Sequence, residues 1–230
     1  MPHITVIIPA FNEAESIPLV VQDIPDVVTE IIVVNNNSTD ATEANARAAG
    51  ATVLRETRKG YGYACLKGMD YVAQQAKQPD IIVFLDGDYS DYPEQLLLLI
   101  DPIHNNQADF TLGARVKTQR EKGSMTIPQI FGNWLATSLM RLLFKSTFTD
   151  LGPFRAIKYE TLLGLNMTDK TYGWTVEMQL KVLKQGIPYT EIPVKYRNRI
   201  GVSKVSGTAK GAVLAGVKIL GWIFKYGLKK

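Results

Sequence analysis

The chain has 230 residues and a mass of 25.5 kDa, 46% apolar and 21% charged with a mean hydropathy of -0.03, which suits a globular core and excludes disordered, fibrous and low-complexity classes. Its single cysteine, Cys65, excludes an internal disulfide framework and a cysteine-clustered zinc site, and suits a reducing, cytoplasmic location. The net charge of +4 is uneven: nine of the 26 Lys and Arg lie from Lys195 onward with no acidic residue among them, leaving 17 basic against 22 acidic residues before it. Such a tail calls for an anionic counterpart: a membrane surface, a nucleic acid or a phosphorylated substrate.

The opening MPHITVIIPAFNE has no basic leader and turns polar early, so no signal peptide is expected. Apolar runs of strand length follow at Ile4–Ile8, Ile31–Val34, Thr52–Leu54 and Ile81–Leu85. Three of them are apolar on both faces, as strands of a covered parallel sheet are. Helical periodicity fills the gaps: Ala14–Ile24, Ala41–Ala49 with Asp40 or Thr39 as N-cap, and Gly62–Gln75. The order β-α-β-α-β-α-β with right-handed crossovers predicts a doubly wound α/β half-domain over the first 90 or so residues.

Beyond Pro93 the pattern predicts a helix to Ile100, a strand near Phe110–Gly113, and a charged loop Arg115–Lys122 ending at Gly123 that reads as mobile. A long apolar helix over Pro128–Phe144 comes next, then a helix over Thr175–Lys184. An edge strand over Tyr189–Tyr196 is broken by Pro193. Gly211–Leu228 is helical and apolar, with Trp222, Phe224 and Tyr226 near its end and lysines at 210, 218, 225, 229 and 230. Lysines within it make a membrane span costly, whereas an interfacial helix with snorkelling lysines fits. No linker or repeat divides the chain, so residues 1–206 read as one domain and 207–230 as a basic amphipathic appendage docking on a membrane. Apolar residues interleaved with lysine favour a membrane over a nucleic-acid partner.

Ligands of such sheets bind at the strands' carboxyl ends. There the loops read Pro9-Ala10-Phe11-Asn12-Glu13, Asn35-Asn36-Asn37-Ser38-Thr39-Asp40 and Asp86-Gly87-Asp88-Tyr89-Ser90-Asp91. None is a glycine-rich phosphate cradle, so the dinucleotide and P-loop classes lose their main support. Asp86 and Asp88 project two hard carboxylates from one strand end, suiting Mg²⁺ or Mn²⁺ bound with phosphates, and Gly87 permits close approach. Cys65 reads as a packed small hydrophobe, and His3 and His104 have no ligand spacing.

Taken with Lys59-Gly60-Tyr61-Gly62, Pro93-Glu94, Gly113-Ala114-Arg115 and Gly201-Val202-Ser203-Lys204, these loops resemble the family 2 glycosyltransferases of GT-A fold, in particular the dolichyl- or polyprenyl-phosphate hexose synthases. The resemblance spans essentially the whole chain. It implies a metal-dependent inverting hexosyl transfer from a nucleotide sugar to a polyprenyl phosphate or other lipid on the cytoplasmic face of a membrane. It places the nucleotide at Pro9, Phe11, Glu13, Val34 and Asn36, and the metal and diphosphate at Asp86, Gly87 and Asp88, with Ser90 where relatives often carry another ligand. Arg115 would face the donor's phosphates or sugar. Arg120, Arg199, Ser203 and Lys204 would take the acceptor phosphate.

The chain departs from the family pattern where Asn35-Asn36 replace a usual Asp-Asp, and where Asp150–Arg155 and Arg199–Gly201 are each one residue short. An Asn36 carbonyl that still accepts from uracil N3–H favours UDP-glucose, with GDP-mannose second. An anionic phosphate acceptor needs no general base, whereas a hydroxyl acceptor would, and Glu177 in Gly173-Trp174-Thr175-Val176-Glu177 is then the candidate. A non-catalytic nucleotide-sugar or membrane-binding protein of the same fold is the rival class. Intact Asp86 and Asp88 disfavour it.

Overall fold

The computed structural model describes residues 2–201 and 209–228, apart from the side chains of residues 209, 210, 212 and 228. Seven strands form one sheet: β1 (Ile4–Ala10), β2 (Glu30–Asn35), β3 (Thr52–Arg55), β4 (Ile81–Phe84), β5 (Phe110–Ala114), β6 (Arg155–Lys158) and β7 (Tyr189–Pro193). Their order is β3-β2-β1-β4-β6-β5-β7. β1 to β4 are parallel, β6 runs antiparallel to both β4 and β5, and β7 rejoins β5 in parallel. The sheet is thus mostly parallel and flanked by helices, as expected of the GT-A class.

Both faces of the sheet are covered, which is why its central strands are apolar throughout. On one face Ile7, Ile32, Val34, Ile82 and Phe84 pack against the helices α3 (Tyr61–Ala73), α5 (Ile127–Phe144), α7 (Trp174–Gln185) and α8 (Ala209–Leu228). On the other Val6, Ile8, Val33 and Val83 meet α1 (Ile17–Gln22), α2 (Thr42–Ala48) and α4 (Leu96–His104). A short helix α6 (Tyr159–Leu165) follows β6.

Local chemistry sets the helix starts. α5 opens on a capping box in which Thr126 and Gln129 satisfy each other's backbone N–H groups, with Pro128 in the first turn. α2 begins later than Asp40 or Thr39 would have it, with Ala41 at the cap. Asp40 still serves it, its carboxylate accepting from the Thr42 N–H at 3.0 Å and the Ala14 N–H at 3.2 Å. α1 is shorter than the expected Ala14–Ile24.

Three expectations change. β6 was not anticipated: its outer residues are Arg155 and Lys158, and Arg155 is buried, its guanidinium donating to the carbonyls of Gly152, Pro153 and Thr175. The charged stretch after β5 is pinned, Glu121 N–H donating to Tyr196 O at 2.7 Å and the Glu121 carboxylate accepting from Asn198. Finally, α8 is no appendage. Ile223 is fully buried in the main core, with Ile219, Trp222 and Tyr226 packed against it. The 206/207 boundary itself lies outside the described residues.

Candidate functional site

The carboxyl ends of β1, β2 and β4 open into a cleft of about 800 Å³. Pro9, Phe11, Glu13 and Asn36 line one end, Asp86, Gly87 and Asp88 the floor, and Arg115 and Arg199 the side. The far end is walled by α5 and α8, through residues such as Phe131, Leu135, Val213, Ile219 and Leu220. One continuous cavity therefore runs from a polar end to an apolar one.

The polar end is rigidified by its own side chains. Asn12, in the left-handed region at φ 56°, accepts from Thr39 N–H at 2.8 Å and donates its own N–H to Ser38, tying the β1 and β2 loops together. Glu13 N–H donates to Thr42 Oγ1 at 2.7 Å. Asn36 is a clamp: Nδ2 donates to the carbonyls of Glu56 and Arg58 at 3.1 and 2.7 Å, and Oδ1 accepts from Gly60 N–H at 2.8 Å. A carboxylate could supply neither donation, which explains the amide in physical terms. The carbonyl invoked for uracil already accepts one hydrogen bond, from Gly60 N–H, which leaves its second lone pair for a base N–H. Val34, expected at the nucleotide, is fully buried with its side chain in the core and does not line the cleft.

At the floor, burial and the neighbouring Asp88 push the Asp86 carboxyl up to about 6. Asp88 is held from two sides, Oδ1 accepting from Ser90 N–H and Oγ, Oδ2 paired with Arg199 at 2.8 Å. Arg199 thus sits against a floor carboxylate. Ser203 and Lys204 lie outside the described residues. Asp91 adds a third carboxylate, buried with neither oxygen hydrogen-bonded among the described residues, and burial with Asp86 and Asp88 drives its carboxyl well above the usual range. Crowded carboxylates of this kind fit a hard divalent cation, since a second positive charge beside Arg199 relieves their repulsion. Asp86 and Asp88 are the two that face the cleft.

Arg115 forms a two-pronged ion pair with Asp150, Nε to Oδ2 and Nη2 to Oδ1 at 2.7 Å each. Burial opposes the charge on Asp150, but Arg115 outweighs it and holds the carboxyl below its usual range. Arg115 also borders a smaller cavity of about 190 Å³ shared with Lys117 and Arg120, whose guanidinium contacts Met125 Sδ at 3.3 Å.

Glu177 does not approach the cleft. Its carboxylate is fully buried, accepts from Thr168 N–H and Oγ1 and from Asp169 N–H at 2.7 Å, and pairs with Lys181 at 2.8 Å. With its oxygens engaged and no path to solvent, it is no base for an acceptor.

Tyr61, Lys59 and Asp91 belong to motifs named in the sequence, but the sequence alone assigns them no role. The Tyr61 side chain lines the cleft with its hydroxyl buried, and burial first and the Asp86 charge second oppose its ionisation. Lys59 stands over the Phe11 ring at 5.8 Å. The Lys59-Gly60-Tyr61-Gly62 motif itself is the signal for the first two, and the DYSD run for Asp91.

The model of glycosyl transferase family 2 matches residues 5–163. An undecaprenyl-phosphate mannosyltransferase of Micrococcus luteus is 30% identical, over 94% of this chain and 92% of its own. A polyprenol monophosphomannose synthase of Mycolicibacterium smegmatis is 28% identical, over 88% and 81%. Glucosyl-3-phosphoglycerate synthase of Mycobacterium tuberculosis, crystallised with Mn²⁺, UDP and phosphoglyceric acid, superposes with a TM-score of 0.79 at 21% identity, covering 98% of this chain and 78% of the other. It shares the fold.

Proposed function

The chain belongs to glycosyl transferase family 2, and from that premise we propose that it transfers a hexose from a nucleoside-diphosphate sugar to a polyprenyl phosphate at the cytoplasmic face of a membrane. One observation carries the reading: the carboxylate floor and the apolar α5/α8 wall belong to the same cleft. A charged donor and a lipid acceptor require such a juxtaposition, and two relatives are named for transfer of mannose to lipid phosphates of this class. Mannose therefore stands beside glucose as the sugar, and UDP and GDP are the two candidate nucleotides, since the Asn36 carbonyl keeps one lone pair beyond the bond from Gly60 N–H.

The reaction breaks the bond between the sugar's anomeric carbon and the donor diphosphate and forms one to an acceptor phosphate oxygen, with inversion. That oxygen is anionic near neutral pH, so the buried state of Glu177 is no obstacle. Asp86 and Asp88 would hold Mg²⁺ or Mn²⁺, which supplies charge neutralisation to the departing diphosphate. Arg199, already at Asp88, lies within the same cleft, and Arg115, held by Asp150, lines it just after β5. Arg120 and Lys117, one cavity away, are placed to draw in the acceptor phosphate. The hydroxyl-acceptor alternative has lost the base assigned to it.

Membrane residence is supported by the outer faces of α5 and α8, where Ile127, Trp134, Leu142 and Val217 are exposed. Among the described residues no helix is long and apolar enough to cross a membrane, so docking would be peripheral.

The test offers UDP-glucose and GDP-mannose separately, each labelled in the sugar, with a short-chain polyprenyl phosphate and Mn²⁺. Label entering the organic phase from one donor, and its loss in EDTA, is the expected result. Donor binding without transfer to any lipid phosphate would favour the non-catalytic alternative, and full activity in EDTA would remove the metal.

A further inference from the structure

The segment 168–173, between α6 and α7, has no regular secondary structure, yet it is held by two helices and by its own hydrogen bonds. From α7, Glu177 takes the N–H groups of Thr168 and Asp169. From within, Asp169 Oδ1 accepts from the N–H groups of Thr171 and Gly173 at 2.7 and 3.1 Å. From α8, Trp222 Nε1–H donates to Asp169 Oδ2 at 2.7 Å, and Lys218 Nζ pairs with the same oxygen at 3.1 Å. The Asp169 side chain is wholly buried, so these partners stand in place of water. Burial by itself would raise its carboxyl, but the hydrogen bonds from Thr171, Trp222 and Lys218 outweigh that and keep it below the usual range.

The segment's other side is pressed against the donor end of the cleft. Lys170 O accepts from Tyr63 N–H at 3.1 Å. The carbonyl oxygens of Lys170 and Asp169 lie where side chains on Gly60 and Gly62 would stand, so neither glycine has room for a Cβ, and Gly60 is in addition at φ 151°. Gly60 N–H is the donor to Asn36 Oδ1, and Lys59, Gly60, Tyr61 and Asn36 all line the cleft. A contiguous path of hydrogen bonds and backbone contacts thus runs from α8 through Asp169 to the loop that shapes the nucleotide end.

Resting on the reading that this end takes a nucleoside diphosphate, we propose that Trp222 and Lys218 are positioning residues for the donor site, acting through Asp169 and the 168–173 segment. Neither lines the cleft. Their effect is on the shape of the Lys59–Tyr61 loop, and coupling of this kind is reciprocal: a nucleotide that fixes the loop also fixes α8. Because other residues of α8 wall the apolar end of the cleft and expose Val217 outward, the seating of this one helix links the acceptor side and the proposed membrane face to the donor side.

The experiment is calorimetry of UDP and of GDP, each with Mn²⁺, on the full chain and on Trp222→Phe and Lys218→Met, together with hydrogen exchange of the wild type with and without the nucleotide it binds. Trp222→Phe keeps the aromatic bulk and removes the N–H, and Lys218→Met keeps the stem and removes the charge. Affinity is expected to fall about fivefold or more in each variant, and in the wild type nucleotide should slow exchange in α8 as well as in the 57–63 loop. Unchanged affinity in a folded variant, even with a lowered melting temperature, overturns the proposal, and so does protection confined to the donor loops. Should Trp222→Phe fail to fold, Lys218→Met and the wild-type exchange pattern decide. A wild type that binds neither nucleotide overturns the donor reading itself, and the inference with it.

Discussion

Asn36 illustrates how a single atom pair determines what a position can do. Its amide donates twice to backbone carbonyls and accepts once, so Asn36→Asp sets a carboxylate against the oxygens of Glu56 and Arg58. The loss is expected to cost about 1–3 kcal/mol and to weaken nucleotide binding along with the melting temperature. Tighter binding by the variant would show that the position reads the base directly. At the floor, Asp88→Asn removes a charged oxygen and little volume and also deprives Arg199 of its partner. Transfer should fall by roughly 10²–10³-fold while the circular dichroism spectrum is retained; transfer at the wild-type rate would remove Asp88 from the chemistry. Asp86, Asp88, Phe11 and Glu13 were legible in the sequence because a residue following a buried strand has few places to go but the strand-end crevice. Glu177 and Val34 were not: whether a polar or apolar residue faces a cleft or a core is decided by elements far away in the chain, here the 168–173 segment and the helices over the sheet.

Elements were readable where one periodicity held. β1 to β4 and α5 follow their apolar patterns, while β6 was hidden because a buried arginine opens it and its neighbours in the sheet, β4 and β5, are distant in sequence. α8 was read correctly as a helix and incorrectly as an attachment, since the pattern shows an apolar face without saying what covers it. Its seat titrates. Asp169 is held below the ordinary carboxylate value when folded, so its contribution to stability is complete above about pH 4 and is lost as pH falls through the lower, folded value. Asp150 and Glu43 are depressed too, so the informative quantity is a difference. Stability of the wild type minus that of Asp169→Asn, from urea titrations at several pH values, should be constant from pH 5 to 7 and shrink below about 4. A difference independent of pH down to 2 would mean that the carboxylate's charge contributes nothing to holding α8.

At the scale of the molecule, the acidic body and basic C-terminal region give the surface a polarity that the fold turns into geometry. α5 and α8 pack together, and each exposes apolar residues, Ile127, Trp134 and Leu142 on one helix and Val217 on the other, while other residues of both wall the cleft's apolar end. The sequence placed exposed apolar residues on α8 alone; α5 was passed over because a long apolar helix reads as core. Since Ile223 is buried and Trp222 holds Asp169, deleting α8 would damage the core and test nothing about membranes. Substitutions outside the cleft do test it. The intact protein should sediment with anionic vesicles at low salt and less so at high salt, because basic side chains near the surface contribute about 1 kcal/mol each and are screened while apolar burial is not. Trp134→Gln with Val217→Gln should reduce the salt-resistant part of binding, and lower transfer to a long-chain acceptor more than to a short soluble one, at unchanged nucleotide affinity. Vesicle binding that is abolished by salt alone and indifferent to these two residues would assign the contact to charge and leave the outer faces of α5 and α8 without a membrane role.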